Sequence, residues 1–200
     1  MKFIQLLSNL KEEYKDDCII RKNGTLLMHP GRIPNAKHYL FRPLNDELIN
    51  EFLINQYKNT FPKEYIDFLK FSNGANLFGI CVKTPKFTLA ETLLTIYGLP
   101  RTAPFSRAQD MEEPFDVRIE DLARHDDIPN YWLKCATHII PDNLDKHIDV
   151  FIDTTTGKIY SCFKNTKEII NSWKSLDECF CCLFDLTRKF RDEYDYMPNY

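Results

Sequence analysis

Three cysteines within four positions, Cys179, Cys181 and Cys182, form the densest group of side chains able to hold a metal or exchange electrons. Paired thiols that do such work are usually separated by two residues, and on a helix positions 179, 181 and 182 point in different directions. They read more simply as reduced thiols along an apolar stripe. His125-Asp126 has the form of a metal-ligating pair for phosphoester hydrolysis, but that chemistry needs further His and Asp ligands from neighbouring helices. This pair stands in a proline-flanked polar segment, where a solvated loop is the simpler reading. His29, His38, His138 and His147 offer a general base to several cysteines, and no spacing selects one of them. Asp149 and Asp153 are candidates for the paired carboxylates of a hydrolase, yet along an extended strand they stand about 13 Å apart, too far to act on one bond. No Gly-x-Ser-x-Gly, phosphate-cradling loop, zinc-ribbon spacing or dinucleotide fingerprint is present, and six glycines leave little material for such loops. A small hydrolase is therefore the weakest functional reading. The same acidic residues make more sense as a surface: Asp142, Asp145 and Asp149, with Glu112, Glu113 and the aromatic Phe115, could face a positively charged partner. Residue by residue, a hydrated face is the simpler account of them.

The elements that must position these residues are legible in part. Phe3, Leu6, Leu7, Leu10 and Tyr14 recur at helical spacing over residues 2–15. Residues 32–43, with two prolines, read as an extended loop, after which Asn45 caps a helix running to about Lys58. From Thr60 to Gly79 the sequence TFPKEYIDFLKFSNGANLFG joins a start signal, an amphipathic run and a stop signal. Pro62 suits the first helical position and Glu64 the positive end of the helix dipole; Tyr65, Phe68 and Leu69 share one face, and Gly74 can adopt a left-handed conformation. Strands are expected near 77–82, 86–90, 134–140, 147–153 and 159–163, joined by short turns and hence antiparallel. In the fourth, Ile148, Val150 and Ile152 alternate with His147, Asp149, Phe151 and Asp153, which places the two aspartates toward solvent. Asp153 ahead of Thr154-Thr155-Thr156-Gly157 also has an ordinary turn-making role. A last helix starts at Ser175, with Glu178 at capping-box spacing and Leu176, Cys179 or Phe180, Leu183, Leu186 or Thr187, Phe190 and Tyr194 along one stripe. The acidic tail from Arg191 to Tyr196 reads as a fraying helix end.

The expected fold is thus α+β: a mainly antiparallel twisted sheet of about five to six strands with helices packed on it and flanking it at both termini. At 200 residues the chain can bury roughly 70% of its unfolded surface, enough for one domain without a metal or disulfide. Fifteen Phe and ten Tyr require a packed core and argue against disorder. Seven cysteines, an odd number scattered along the chain, fit a reducing compartment, and the N-terminus has neither a signal peptide nor a spanning segment, so a cytoplasmic location is expected. A net charge of −3 gives no electrostatic reason to bind nucleic acid or an anionic membrane, and it tolerates a basic partner better than an acidic one.

The Thr60–Gly79 passage resembles the opening of the SUKH superfamily, which includes the Smi/Knr-type cell-wall regulators of fungi and many bacterial immunity proteins. There a hydrophobic residue and proline precede Tyr, Phe-Leu, and an Asn-Gly leading into a Phe-Gly strand. Asp149 to Tyr160 resembles that superfamily's late hairpin, and Ile169-Ile170-Asn171-Ser172-Trp173 resembles the start of its closing helix. Together these cover about 110 residues. The resemblance implies a single domain over residues 1–200, with an insertion at about 95–130 that exceeds the superfamily pattern. It further implies a non-catalytic protein, without cofactor or metal, that binds and neutralises a polymorphic bacterial toxin, contact-dependent or secreted, such as a basic nuclease or deaminase. The alternative it allows is a regulatory interaction scaffold of the cell-wall-regulator type, which long disordered flanks would favour.

Overall fold

A computed structural model describes residues 1–22, 24–29, 38–50, 62–83, 88–98, 129, 131–140, 146–164, 166 and 168–195, of which 80–83, 88–91 and 191–195 are described as backbone only. Helix α1 (Lys2–Glu13) is followed by three short strands, β1 (Cys18–Ile20), β2 (Leu26–Met28) and β3 (His38–Leu40). Helix α2 (Lys63–Phe71) leads into a hairpin of β4 (Ala75–Lys83) and β5 (Thr88–Ile96). Strands β6 (Trp132–Ile139), β7 (His147–Asp153), β8 (Ile159–Phe163) and β9 (Ile169–Trp173) and helix α3 (Leu176–Asp195) complete the order. All nine described strands form one antiparallel sheet in which each pairs with its neighbour in sequence, leaving β1 and β9 as its edges among the described residues.

The expectation of five to six strands is therefore corrected to nine, within the same α+β class. The additional strands are β1, β2, β3 and β9. Three residues are too few to display a period of two, and β3 lies inside the segment that reads as an extended loop. Ile169–Trp173 is not the start of a helix; it is an edge strand, and its Ile169, Asn171 and Ser172 are exposed.

Register explains the core. Ile20, Leu26, Leu40, Ala75, Ile96, Ala136, Val150 and Ser161 are successive cross-strand partners over eight strands, and those from Leu40 to Ser161 are all buried. On this face the helices supply Phe3, Phe68, Phe180 and Phe184, whose rings meet at centroid distances of 5.2–6.1 Å. The α3 stripe is wider than expected: Cys179, Phe180, Leu183, Phe184 and Thr187 are all buried, whereas Leu186 is exposed.

The helices also cap one another. Asp177 of α3 accepts hydrogen bonds from the backbone N–H groups of Lys2 (2.9 Å) and Phe3 (2.8 Å), and Glu64 of α2 accepts one from Leu176 N–H (3.3 Å). Each carboxylate serves N–H groups that have no partner within their own helix. Ser175 receives the Glu178 N–H as the capping spacing requires (3.1 Å), and the Glu178 carboxylate reaches back to the Lys174 N–H. Asn45 likewise accepts from Leu48 N–H (2.9 Å) at the head of a helical stretch described over 46–50. Its expected continuation to Lys58 lies outside the described residues. Replacing Asp177 with Ala is expected to cost about 1–2 kcal/mol in urea unfolding, since two donors lose their acceptor; an unchanged midpoint would contradict this capping role.

The passage from Pro62 to Gly79 acts as a structural junction. Pro62 stands one residue before α2 as its N-cap, and Tyr65, Phe68 and Leu69 are buried as their spacing demands. Ser72 is extended and buried, with its hydroxyl 3.0 Å from Phe41 O and 2.6 Å from Gly74 O, and Gly74 takes φ 97°, the left-handed conformation open to glycine. Tyr65 Oη donates to Tyr97 O (2.9 Å), and Gly98 packs directly on Asn73. A β-carbon at position 98 would overlap both the carbonyl and side-chain oxygens of Asn73. Gly98→Ala is expected to lose about 2–3 kcal/mol, because backbone rather than a flexible side chain must yield; near-native stability in chemical denaturation would show that the contact relaxes freely.

Candidate functional site

The second face of the sheet carries its own row of cross-strand partners: Ile19, Leu27, Tyr39, Asn76, Thr95, Thr137, Asp149 and Cys162. Strands β6, β7 and β8 make this row chemically distinctive. Lys134 Nζ lies 2.6 Å from Asp149 Oδ1, with both side chains largely buried (13% and 7% exposed). Thr137 Oγ1 donates to the same carboxylate oxygen (2.9 Å) and accepts from Tyr97 Oη (2.9 Å), while Lys134 Nζ sits 5.5 Å from the centre of the Tyr97 ring. One ammonium, one carboxylate and two hydroxyls thus form a connected network across β6, β7 and Tyr97, the residue that follows β5.

Beside it lies an aromatic platform. Trp132 stacks on Tyr160 (5.0 Å between centroids, 20° between planes) and leans on the buried Phe151 (5.7 Å). Trp132 and Tyr160 are half-buried, and the adjacent Tyr131 is exposed. Alternation along β7 dictates this placement: Val150 and Ile152 face the helices, so Asp149, Phe151 and Asp153 share the other face. The long connection over 97–131 leaves β5 and returns to β6 at this end of the sheet, since the two strands are adjacent and Ile96 pairs with Ala136.

Asp149 is therefore not a solvent-facing acid. It is 5% exposed and its charge is matched by Lys134, which corrects its expected place on an acidic surface. Alternation showed that Asp149 leaves the helix face, but it could not show a lysine waiting there. Asp153 is also buried (6% exposed) and folds into its own turn, accepting from Thr155 N–H (2.8 Å), Thr155 Oγ1 (2.6 Å) and Thr156 N–H (3.1 Å). Burial alone would raise its pKa, but these hydrogen bonds outweigh that and hold it below the usual carboxylate range. The two carboxylates consequently share a face while each is engaged separately. Glu112, Glu113, Phe115, Asp142 and Asp145, the pair His125-Asp126 and most of the expected 95–130 insertion lie outside the described residues.

The cysteines divide by environment. Cys179 is buried in the helical core and its thiol is held well above the ordinary value by burial; Cys181 is half-buried and raised to about 11, by burial first and then by Asp177 and Asp185; Cys182 is exposed. Cys135, buried in β6, is likewise raised by burial. Among the described residues no group of three or more His, Cys, Asp or Glu is placed to hold a metal ion.

Two histidines are buried on the helix face. His38 Nδ1 accepts from Phe78 N–H (3.2 Å), and Phe78 itself has a positive φ of 59°. Burial, followed by the charges of Arg188 and His29, lowers the His38 pKa to about 3. His138, 2% exposed opposite Leu94 and Ile148, has neither ring nitrogen hydrogen-bonded, and burial lowers its pKa to about 4. His29 and Asp17 form an exposed pair at 2.5 Å.

Sequence reasoning missed Tyr97, Lys134 and Thr137 as members of a network. The signal available was a lone lysine in the run from Trp132 to Ile139, where Thr137 and His138 are the other polar residues. Comparison with protein-family models finds no match, and comparisons with curated proteins and with solved structures find none either. No described helix is long and apolar enough to cross a membrane.

Proposed function

We propose that this chain is a non-catalytic protein-binding module of the SUKH-like immunity type, which neutralises a bacterial toxin domain by direct association. The observation that carries the reading is the half-buried Trp132–Tyr160 platform at the end of the sheet where the 97–131 connection departs and returns. A rigid sheet presenting stacked aromatics at the end from which a long connection departs suits an interface whose affinity comes from a few anchors. The resemblance around Thr60–Gly79 supports the immunity assignment in particular. Electrostatic attraction to a basic toxin is assigned to Glu112, Glu113, Asp142 and Asp145, with Phe115 as a further anchor; Asp149, already matched by Lys134, contributes by holding β6 and β7 in register. A cytoplasmic setting belongs to the same reading.

Affinity for the partner recovered from source cells tests it. Trp132→Ala is expected to weaken binding by about 30-fold or more, the effect of losing a central aromatic anchor. Glu112→Lys with Glu113→Lys is expected to slow association while leaving the fold intact. If both variants bind as the native protein does, neither the Trp132–Tyr160 platform nor these two glutamates form the interface.

A further inference from the structure

Among the described residues the sheet has an open edge at β1, and we propose that this edge pairs with β1 of a second copy of the chain to form a two-fold symmetric dimer whose eighteen described strands make one continuous sheet. The hydrogen-bond phase of β1 points to it. Arg21 N–H donates to Thr25 O (2.9 Å) and His29 N–H to Asp17 O (2.8 Å), so the odd-numbered residues 17, 19 and 21 direct their backbone groups toward β2. Cys18 and Ile20 therefore direct their N–H and C=O groups away from the sheet. Both residues are exposed, as is Ile19; Ile20 is 73% exposed and Ile19 53%, although large apolar side chains on an open edge invite association.

The sequence around this edge is self-complementary. Asp16-Asp17-Cys18-Ile19-Ile20-Arg21-Lys22, paired antiparallel with itself about Ile19, sets Cys18 opposite Ile20, Asp17 opposite Arg21 and Asp16 opposite Lys22. That centre is also the one the backbone demands: Cys18 of one copy and Ile20 of the other exchange two hydrogen bonds, and the symmetric pair exchanges two more. Ile19 meets its own symmetry mate as a non-hydrogen-bonded pair, where side chains approach most closely. Asp16 and Lys22 are exposed in the turns on either side, positioned to attract across the junction. A contact of this isologous kind closes at two subunits. Pairing β1 with the other edge, β9, would instead be heterologous and build a ring or an open filament, and there Asn171 and Ser172 are exposed beside Ile169.

Sedimentation of the full chain over a concentration series tests the proposal. A monomer–dimer equilibrium is expected, weakened by salt because the flanking charges are exposed. Ile19→Lys, which opposes two like charges at the two-fold axis, and Asp16→Lys are each expected to give monomer with unchanged circular dichroism. The double variant Asp16→Lys with Lys22→Asp restores opposite charges across the symmetric junction and is expected to recover the dimer. Ile19→Cys in a Cys18→Ser background is expected to form an intermolecular disulfide under mild oxidation, as Cα atoms about 4.5 Å apart permit. A native protein that stays monomeric, a dimer indifferent to Ile19→Lys, or assembly growing without limit would each overturn the proposal.

Discussion

Lowering the pH from 7 to 5 is expected to remove about 3–4 kcal/mol of folding stability, a large share of the 5–15 kcal/mol typical of a domain. The cause is the pair His38 and His138, held neutral in the fold with pKa values near 3 and 4 against the usual 6.5. The sign follows from proton counting. Below about pH 6.5 the unfolded chain protonates both rings while the folded one protonates neither, so stability falls by up to about 1.4 kcal/mol per pH unit for each histidine until the folded values are reached. Above that range neither ring contributes a slope. Asp153, whose pKa is lowered, adds a further loss only below the ordinary aspartate range, where its turn loses a charged acceptor. Urea unfolding at several pH values measures the slope, and His138→Leu separates the contributions. That variant removes a ring with no hydrogen-bond partner, so it is expected to equal or exceed native stability at pH 7 and to reduce the slope between pH 4 and 6.5 by about half. A slope unchanged by this substitution would show that His138 is not held neutral.

Asp149→Ala is expected to cost about 3–5 kcal/mol, because it leaves the Lys134 ammonium in a largely buried site without its counter-ion and deprives Thr137 of its acceptor. Removing both charges should behave differently. Lys134→Met combined with Asp149→Leu replaces the pair with apolar groups of similar size and is expected to lie within about 1–2 kcal/mol of the native protein. Equal losses in single and double variants would indicate that packing at these positions, rather than charge matching, sets the cost. The network holds β6 and β7 in register beside the Trp132–Tyr160 platform, so Asp149→Ala is also expected to weaken partner binding without touching the partner.

What could be read from the sequence follows the range of the interactions involved. Tyr65, Phe68 and Leu69 announce a buried helix face by spacing alone, and Asn45 and Ser175 announce caps, because each depends on residues three or four positions away. Val150 and Ile152 announce the core face of β7 in the same manner. Strands β1, β2 and β3 could not be read, since three residues carry no period and each exists through pairing with a strand distant in sequence or through its neighbour's pairing. The solvent assignment of Asp149 and Asp153 failed for a related reason. Alternation tells which face a residue takes, but Lys134 and the hydroxyls of Thr137 and Thr155 decide what it meets there. The Thr60–Gly79 passage stood out in the sequence because it builds a junction: Tyr65, Ser72, Asn73 and Gly74 fasten α2 to the ends of β3 and β5 through Phe41, Tyr97 and Gly98.

Neutralisation is the central claim, and recovery of the tagged protein from its source cells tests it most directly. Mass spectrometry of material co-purifying at stoichiometric amount is expected to identify a single toxin-like polypeptide, whose activity the purified protein abolishes at an equimolar ratio. Wall-synthesis or signalling proteins in its place, or a toxin that stays active when saturated, would contradict the account.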